Sequence, residues 1–378
     1  MNITAQIYLS FTVDARVTAT TIAQVPCGKD SLHIWMIIGK DNGEIDVLSA
    51  SQTVQVHHIK PDKKEVPITA VMVSNFRYTK YKELISINAE GLLSAYSFPK
   101  IIKDPGWRLK NKREPSNPPI KTFEQLLHAN ICSATIYDLD NTGKTELVVL
   151  MTDRVIRSFG YSNKTFVPKC KWDFKEQITG WSIGLKPDST KDVFFGFISQ
   201  IGDGKRAVIN MEEPFIEAYY CPLTPQHLSY FQTVVNIPSI PLYVDPLFVQ
   251  TTKIIVTDFD AKNEYLLQLP ELFGTASCVA ATSIKSSKTN FATVVNSYGQ
   301  LAVYIWEYPI GGPIEYQYKS QIIDNIIKMF LYPLNPKRLA LCCFNAFGNA
   351  KFYILSMDGI VRPMMNYRRK TTSALQKP

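Results

Sequence analysis

The 378 residues carry a formal net charge of +8, and 46% of them are hydrophobic and 12% aromatic, so the chain can bury a large core. No apolar run is long enough to cross a bilayer and no basic N-terminal region precedes an apolar stretch, so we expect neither a transmembrane helix nor a secretory signal. The seven scattered cysteines are typical of reduced thiols in the cytosol rather than of a disulfide framework, and their spacing does not favour zinc.

The chain begins with an alternating strand, Ile7–Val13, and continues as a series of strand–turn–strand units. Each unit combines an apolar run, a turn rich in Gly, Asn or Asp, and a partner strand. The seven units are His33–Ala50, Glu83–Phe98, Ala134–Tyr161, Val193–Asn210, Lys253–Leu269, Phe291–Glu307 and Arg338–Leu355. Units of roughly 40–50 residues are typical of propeller blades. The sequence therefore predicts an all-β fold, a single β-propeller of seven blades over residues 1–365.

A basic stretch, Lys100–Arg113, separates the second and third units and contains Trp107. A second cluster of basic residues, Arg368–Lys370, lies in a predicted flexible tail at 366–378. Basic segments of this kind are either solvated loops or contacts for acidic lipid headgroups or an acidic partner. One tryptophan among basic residues is not a stacking surface, so nucleic acid is not an expected partner.

The third unit contains an acidic turn between two strands. Ser133–Tyr137 leads into the turn, and Glu146–Met151 is a continuous apolar strand that follows it. The turn resembles the calcium loop of FG-GAP repeats in integrin-α-type propellers, which supplies oxygen ligands at alternate positions. The matching positions are Asp138, Asp140, Thr142 and Glu146, with Gly143 at the turn. They are the candidate calcium ligands; the alternative is a turn held by its own side-chain hydrogen bonds. No other cofactor is expected.

The same turn also resembles the nucleophile loop of haloacid-dehalogenase-type phosphatases. In that class Asp138 would attack phosphorus and Asp140 would act as general acid, with magnesium between them. That fold requires the loop to lead into helices and parallel strands, whereas a new strand begins at Glu146. The context favours a protein that is not an enzyme.

A weakly charged segment, Pro214–Thr252, is the candidate partner-binding surface, since it carries only two formal charges and six prolines. Prolines make it a poor source of central strands, and exposed Tyr and Phe often anchor partners. The alternative is buried packing between blades. The candidate partner-binding residues are Phe215, Tyr219, Tyr220, Tyr230, Phe231, Tyr243 and Phe248, with Trp107 as a further candidate.

Closure of the propeller concerns the last unit, Arg338–Leu355. A ring of blades leaves open strand edges unless one blade combines strands from both termini. We therefore expect Ile7–Val13 to complete this blade. Helical periodicity occurs only over Thr122–His128 and Gln321–Lys328, about two turns each.

Glu83–Phe98 and Glu146–Phe159 carry a further resemblance, to the integrin-α FG-GAP repeat-containing subunits of the KICSTOR complex. It extends over about 80–161, more weakly over 33–50, and beyond 165 it is architectural. The resemblance implies a non-enzymatic scaffold that pairs with a kaptin-like propeller and joins a large scaffold subunit in a hetero-oligomer. It also implies a cytoplasmic protein held at the lysosomal membrane by its partners, tethering a GATOR-type GTPase-activating complex that restrains TORC1 when nutrients fall. The alternative within the binding class is a propeller of another trafficking or ciliary coat complex.

Overall fold

In the described part of the computed structural model, the strands pair antiparallel with one another and form seven four-stranded sheets. The structure describes residues 2–26, 32–50, 55–61, 65–78, 82–97, 119–140, 142–185, 193–199, 204–208, 216–221, 233–240, 243–250, 253–257, 264–274, 276–284, 289–307, 313–335 and 337–358. The part of the chain within these ranges contains no helix that could cross a lipid bilayer.

Each sheet is one blade, in which the strands follow one another from the first position to the last. Blade 1 contains β2 (Val17–Pro26), β3 (Leu32–Lys40), β4 (Ile45–Ala50) and β5 (Gln55–Ile59). Blade 2 contains β6 (Ile68–Ser74), β7 (Glu83–Asn88), β8 (Leu92–Ser97) and β9 (Lys121–Leu126). Blade 3 contains β10 (Ile131–Tyr137), β11 (Glu146–Met151), β12 (Val155–Ser162) and β13 (Thr165–Asp173). Blade 4 contains β14 (Ile178–Leu185), β15 (Val193–Ser199), β16 (Gly204–Val208) and β17 (Ile216–Cys221).

The remaining blades follow the same order, except that the last one borrows a strand. Blade 5 contains β18 (Thr233–Ile240), β19 (Tyr243–Gln250), β20 (Lys253–Thr257) and β21 (Glu264–Leu266). Blade 6 contains β22 (Ala276–Ile284), β23 (Thr289–Asn296), β24 (Gln300–Glu307) and β25 (Tyr316–Gln321). Blade 7 contains β26 (Ile326–Asn335), β27 (Arg338–Asn345), β28 (Asn349–Asp358) and, outermost, β1 (Asn2–Thr12).

The first strands of the blades line the centre of the ring. Contacts join β2 to β6, β6 to β10, β14 to β18, β18 to β22 and β22 to β26. Between the last and first blades, Lys328 on β26 donates a hydrogen bond from Nζ to the Thr18 carbonyl on β2, at 3.1 Å. The predicted closure is confirmed, since β1 pairs along its length with β28, from Asn2 opposite Asp358 to Thr12 opposite Asn349.

The predicted units correspond to blades, with one shift and two errors. Six units include the second and third strands of a blade, but Lys253–Leu269 covers the third and fourth strands, β20 and β21. The helical prediction at Thr122–His128 is wrong, because these residues lie mainly in outer strand β9, where burial alternates from residue to residue. The prediction at Gln321–Lys328 is also wrong, because its isoleucines span the connection from β25 to β26. The proposed boundary at 365 and the basic tail lie outside the described residues.

Second strands are continuously apolar because both of their faces pack against neighbouring blades. In β11, Leu147 and Val149 pack with blade 2, whereas Val148 and Leu150 pack with blade 4. All residues of β11 and β23 are buried, and one residue each of β7 and β27 is not. Similar apolar clusters lie between blades 1 and 2, 5 and 6, 6 and 7, and 7 and 1. The core is therefore a ring of layers between blades.

In blades 2, 6 and 7 the turns between the second and third strands share one motif, Asn-x-x-Gly. Asn88, Asn296 and Asn345 each accept a hydrogen bond at Oδ1 from the N–H four residues on, at 2.8 Å in every case. The glycine of each turn has φ between +80° and +84°. Asparagine is suited to the first position because its side chain satisfies the backbone of the turn. Blade 1 keeps the glycine, Gly43, but has Lys40 in place of asparagine.

These turns and the connections between blades form one face of the propeller, which we call the turn face. It comprises the turns 40–43, 88–91, 152–154, 296–299 and 345–348 and the connections 13–16, 65–67, 127–130, 270–274 and 322–325. Backbone hydrogen bonds link them in a belt. For example, Leu127 N–H donates to the Gly91 carbonyl at 2.9 Å, and Thr152 N–H donates to the Asn130 carbonyl of the same connection at 2.9 Å.

Candidate functional site

The acidic loop of blade 3, residues 138–146, joins β10 to β11 and brings the four candidate calcium ligands together. Both oxygens of Asp138 accept backbone hydrogen bonds, Oδ1 from Thr142 N–H at 3.0 Å and Oδ2 from Gly143 N–H at 2.8 Å. Asp140 Oδ1 accepts from Thr142 Oγ1 at 2.6 Å and from its N–H at 3.2 Å. These bonds are those of a turn held by its own side chains, the alternative raised from the sequence.

Lys169, on the outer strand β13, points into this loop. Its Nζ contacts Glu146 Oε1 and lies 3.4 Å from Asp140 Oδ2. Glu146 is only 2% exposed, so Lys169 neutralises a carboxylate that is out of reach of bulk water. Burial alone lowers the pKa of Lys169, but its hydrogen bond to Glu146 and the charges of Glu146 and Asp140 outweigh it and raise the pKa. The lysine is therefore held as an ammonium.

A β-bulge explains how Lys169 reaches the loop. In the pairing of β12 with β13, Cys170 lies opposite Ser158 and Pro168 opposite Phe159, so Lys169 is the extra residue. Blade 2 has its bulge at the same place, where Thr122 is the extra residue of β9. The bulge turns both side chains toward the first residue of the second strand, Glu146 or Glu83.

The equivalent glutamate of blade 2 is also paired with a cation from the chain. Glu83 is 5% exposed and accepts a hydrogen bond at Oε2 from Arg77 Nε at 2.9 Å. Thr122 Oγ1 donates to Glu83 Oε1 at 2.8 Å. The two neighbouring blades therefore neutralise a buried glutamate at the same position, with Arg77 in one case and Lys169 in the other.

The donor set of the acidic loop does not fit a calcium ion as it is arranged. Asp138 is engaged by two N–H groups, Thr142 is a neutral ligand, and the ammonium of Lys169 lies between Asp140 and Glu146. A calcium ion requires several free oxygens around a point that carries no other cation. Within the described ranges no group of three His, Cys, Asp or Glu residues is arranged to hold a metal.

The phosphatase alternative lacks its framework. Asp138 and Asp140 lie between two antiparallel strands of a four-stranded sheet, rather than at the end of a parallel strand that leads into a helix. Asp138 is held by the turn, with both oxygens occupied. A carboxylate in this arrangement is not presented to a substrate as a nucleophile.

The candidate partner-binding residues fall in blades 4 and 5. Tyr219 and Tyr220 lie in β17, and Tyr243 and Phe248 lie in β19, but their side chains are outside the described part of the structure. Phe215, Tyr230, Phe231 and Trp107 lie outside the described residues altogether. The segment nevertheless contributes one central strand, since β19 lies between β18 and β20. Its prolines lie where a sheet tolerates them: Pro238 is on the edge strand β18 beside a register shift, and Pro246 precedes the residues of β19 that pair with β20.

The turn face carries an exposed apolar patch that sequence reasoning missed. We define the apolar patch as Leu272, Tyr298 and Phe347, which are 96%, 77% and 69% exposed. Tyr298 and Phe347 occupy the same third position of the Asn-x-x-Gly turns in blades 6 and 7. Because the Asn side chain and the Gly conformation direct the third residue to solvent, an aromatic residue in such a turn is the signal that could have revealed the patch.

Hydrogen bonds link the two turns and the connection that carry the members of the patch. Asn325 links the two turns, donating its N–H to the Ser297 carbonyl at 2.9 Å and accepting from Ala346 N–H at 3.0 Å. Asn296 Nδ2 donates to the carbonyl of Phe273, next to Leu272, at 2.7 Å. Exposed carboxylates flank the patch in the same face's connections, namely Glu271, Asp324 and Asp14.

Sequence reasoning also missed a charged cluster on the turn face, which is centred on Lys40. The ammonium of Lys40 is fully buried and contacts Asp14 at 2.5 Å, Asp46 at 2.8 Å and Glu44 at 3.2 Å. The hydrogen bond that Lys40 donates to Asp14 lowers the pKa of this carboxyl group. Asp14 follows closely after the end of β1, so this cluster joins the closure of blade 7 to the turn of blade 1. The residues come from separate parts of the sequence, and no local pattern predicts their contact.

Comparison with known proteins supports part of the resemblance seen in the sequence. Residues 56–205 match the sequence model of one family, integrin-alpha FG-GAP repeat-containing protein 2. The matched range extends from β5 to β16 and therefore includes the acidic loop, but it is less than half of the chain. A comparison with curated protein sequences found no match.

Solved structures resemble the chain over nearly its whole length. Two crystal structures of BBS1N in complex with ARL6DN, soaked with mercury and with lead, both give a TM-score of 0.61, at 10% and 9% identity. They cover 93% and 95% of this chain and 96% and 98% of those chains. The WD40 beta propeller domain of Doa1 gives 0.54 at 8% identity, covering 92% and 96%. At such identities the likeness concerns the fold alone. The chain is thus a β-propeller that is similar, over residues 56–205, to the integrin-alpha FG-GAP repeat-containing protein 2 family.

Proposed function

We propose that this chain is a non-enzymatic scaffold that binds a protein partner through the apolar patch of its turn face. The observation that carries the proposal is the pair Tyr298 and Phe347, two largely exposed aromatic side chains at equivalent positions of adjacent blades. Single exposed apolar residues are ordinary, but a contiguous group with a polar rim is typical of interaction sites. Tyrosine and phenylalanine are also enriched in the cores of protein interfaces, where binding energy is concentrated.

The chemistry of the rim indicates the kind of partner. Asp14, Glu271 and Asp324 are exposed beside the patch, although the chain as a whole carries a net charge of +8. A partner surface with an apolar centre and surrounding Lys or Arg residues would complement this arrangement. Binding of such a partner should weaken with rising salt, because rim charges are screened.

The finer proposal follows the family resemblance. The match over residues 56–205 and the propeller fold support a scaffold of the FG-GAP-repeat type. From the resemblance in the sequence we propose further that the chain is a KICSTOR-like subunit, which would pair with a kaptin-like propeller and a large scaffold subunit in a hetero-oligomer. In that role the chain would be cytoplasmic and peripheral at the lysosomal membrane, and it would help tether a GATOR-type GTPase-activating complex that restrains TORC1. BBS1N, a propeller of similar fold, was crystallised in complex with a protein, ARL6DN, and supports only protein binding in general.

Affinity purification of the tagged chain from its own cells, followed by mass spectrometry, tests both levels of the proposal. We expect near-stoichiometric recovery of a second propeller and a large scaffold protein. Recovery of trafficking or ciliary coat subunits would keep the scaffold function and discard the KICSTOR-like role. Elution of the chain alone as a stable monomer would contradict the scaffold function.

Substitutions in the patch test its part in binding. The double variant Tyr298→Ala/Phe347→Ala should reduce partner recovery by at least about tenfold, since truncation of an anchor residue commonly costs about 2 kcal/mol of binding. The matched control is Ile120→Ala, which removes an apolar side chain of similar exposure, 64%, away from the turn face. Equal recovery with the double variant and the wild type would remove the patch from the interface.

A further inference from the structure

We propose that the ammonium of Lys169 takes the place of a metal ion in the acidic loop of blade 3, so that the loop is closed by the chain itself and does not use calcium. This departs from the calcium that the FG-GAP resemblance implies. It does not depend on the proposed scaffold function, because it concerns what holds the loop together rather than what the propeller binds.

The position of Lys169 is the first reason. Its Nζ contacts Oε1 of Glu146, the last of the four candidate calcium ligands, and lies 3.4 Å from Oδ2 of Asp140, the second. A cation bound by these two carboxylates would have to occupy the space that the ammonium fills. Two cations at such a separation repel one another strongly, so an ion enters only if the lysine leaves or loses its proton.

The second reason is that the remaining donors already have partners within the loop. Asp138 accepts two backbone N–H groups, and Thr142 Oγ1 donates its hydrogen to Asp140 Oδ1. Metal coordination would break these bonds, which are the ones that shape the turn. Binding of an ion would therefore require the turn to rearrange.

The third reason is the same design in the neighbouring blade. Glu83 occupies the position of Glu146, and Arg77 and Thr122 satisfy it there. Thr122 and Lys169 are the extra residues of equivalent bulges. A buried glutamate neutralised by a cation of the chain is thus a repeated feature of blades 2 and 3, and in blade 3 the bulge residue itself supplies the cation.

The proposal predicts what happens when the ammonium is removed. Glu146 Oε2 is buried without a hydrogen-bond partner among the described residues, so Lys169 is the group that neutralises this carboxylate. In Lys169→Met, Asp140 Oδ2 and Glu146 Oε1 would lose the cation that they share, and the space that the ammonium fills would be open to an ion. An oxygen-rich loop in this state has the ligand chemistry that calcium and lanthanide ions prefer.

The experiment compares the full chain with Lys169→Met and with a matched control, Lys171→Met. Lys171 lies on the same strand and pairs with Asp173 at 2.8 Å, but both side chains are largely exposed. Terbium luminescence reports binding, because Tyr78 lies close enough to excite a bound ion; its hydroxyl donates to the Thr145 carbonyl at 3.1 Å. Thermal unfolding in millimolar calcium and in chelator reports stabilisation.

We expect the wild type and Lys171→Met to have the same melting temperature in calcium and in chelator and to give no saturable terbium signal at this loop. We expect Lys169→Met to melt several degrees lower in chelator, to recover part of the loss in calcium, and to bind terbium at least about tenfold more tightly than the wild type. Calcium stabilisation of the wild type that is lost in Asp138→Asn would overturn the proposal. So would a Lys169→Met variant that is unchanged in stability and in terbium binding.

A second variant covers the case in which Lys169→Met does not fold. The pair Glu146→Gln/Lys169→Met removes both charges and should regain most of the wild-type melting temperature, because no unpaired charge then remains buried. Failure of the double variant to recover would show that Lys169 does not act by neutralising Glu146, and would overturn the proposal.

Discussion

Lys40 shows at the scale of a residue how this propeller retains buried charge. Its ammonium is inaccessible to solvent and is surrounded by Asp14, Glu44 and Asp46. Burying an ion is unfavourable unless its partners are well placed, and here three carboxylates meet one lysine. Lys40 also occupies the turn position that asparagine holds in blades 2, 6 and 7. Where asparagine would accept a hydrogen bond from the backbone of its own turn, Lys40 instead pairs with Asp14, which follows β1 of blade 7.

Lys40→Met should be among the most destabilising single substitutions in the described part of the chain. Removing one member of a buried ion pair leaves uncompensated charge and costs about 3–5 kcal/mol. Urea unfolding of the full chain measures this loss. Lys171→Met, which breaks only an exposed pair, should change stability by about 0–1 kcal/mol. Equal losses for the two variants would contradict the role assigned to Lys40.

Asp140 makes the acid stability of the chain testable. Burial raises its pKa, but the hydrogen bond from Thr142 and the charge of Lys169 outweigh this, so its pKa in the folded state lies below the ordinary value of 3.8. A carboxyl group with a lowered pKa contributes stability that is fully present above its unfolded pKa and is lost as the pH falls through the folded pKa.

We therefore expect Asp140→Asn to show a shallower fall of melting temperature than the wild type as the pH is lowered from about 5 to about 2. The control is Asp173→Asn, whose side chain is 65% exposed and which should follow the wild-type curve. Parallel curves for Asp140→Asn and the wild type would mean that the pair with Lys169 does not contribute in the folded protein.

At the scale of the element, the turns show why glycine is required beside the connections between blades. Gly91 has φ of +84°, and a Cβ at this residue would lie 2.0 Å from the His128 carbonyl oxygen. The same contact recurs at Gly299 and Gly348, where a Cβ would lie 2.6 Å from Ile323 O and 2.3 Å from Val13 O. The close approach allows each turn to hydrogen-bond to the connection that crosses it.

Gly91→Ala and Gly143→Ala separate the two reasons for glycine in these turns, the positive φ and the lack of room for a Cβ. Gly143 has almost the same φ, +82°, but nothing lies within 4 Å of a Cβ there. Gly143→Ala should cost only the conformational penalty of about 1–2 kcal/mol. Gly91→Ala should cost an additional ~1–3 kcal/mol because the connection at His128 must move. Chemical denaturation measures both, and equal losses would show that the connection yields freely.

At the scale of the whole molecule, the pairing of β1 with β28 closes the ring. Without β1, blade 7 would expose the long edge of β28, and the Lys40 cluster would lose Asp14 from its anchored position. Both effects act at the junction between the last blade and the first. β1 therefore stabilises both blade 7 and its contact with blade 1.

Deletion of residues 1–12 should lower the melting temperature sharply and cause self-association through β28, which light scattering would detect. A peptide with the sequence of β1, added in excess, should bind this edge as a strand and reverse part of both changes. The control is Ile7→Thr, which replaces a side chain that is 54% exposed and leaves the strand in place. A deleted chain that remains monomeric and as stable as the wild type would contradict closure by β1.

The class of fold, the turns and the closing strand could be predicted from the order of residues, because these features depend on local patterns. Continuous apolar runs such as β11, Asn-x-x-Gly turns and the alternation of Ile7–Val13 each report the environment of consecutive residues. The helix predicted at Thr122–His128 was wrong because a local pattern can be ambiguous. The residues of the outer strand β9, whose burial alternates, are also compatible with a short helix. Pro214–Thr252 contributes the central strand β19 because the proline of this strand, Pro246, lies before the residues that pair with β20.

Which charges meet and which aromatic residues are exposed together became known from the folded arrangement alone. Lys169 lies 23 residues from Glu146 and reaches it through a bulge in the register of β13, and Lys40 meets Asp14 across the closure of the ring. Tyr298, Phe347 and Leu272 are presented on one face because the belt of hydrogen bonds joins the turns and connections that carry them. Strand register and blade order set these distances, and neither can be read from the spacing of residues along the chain.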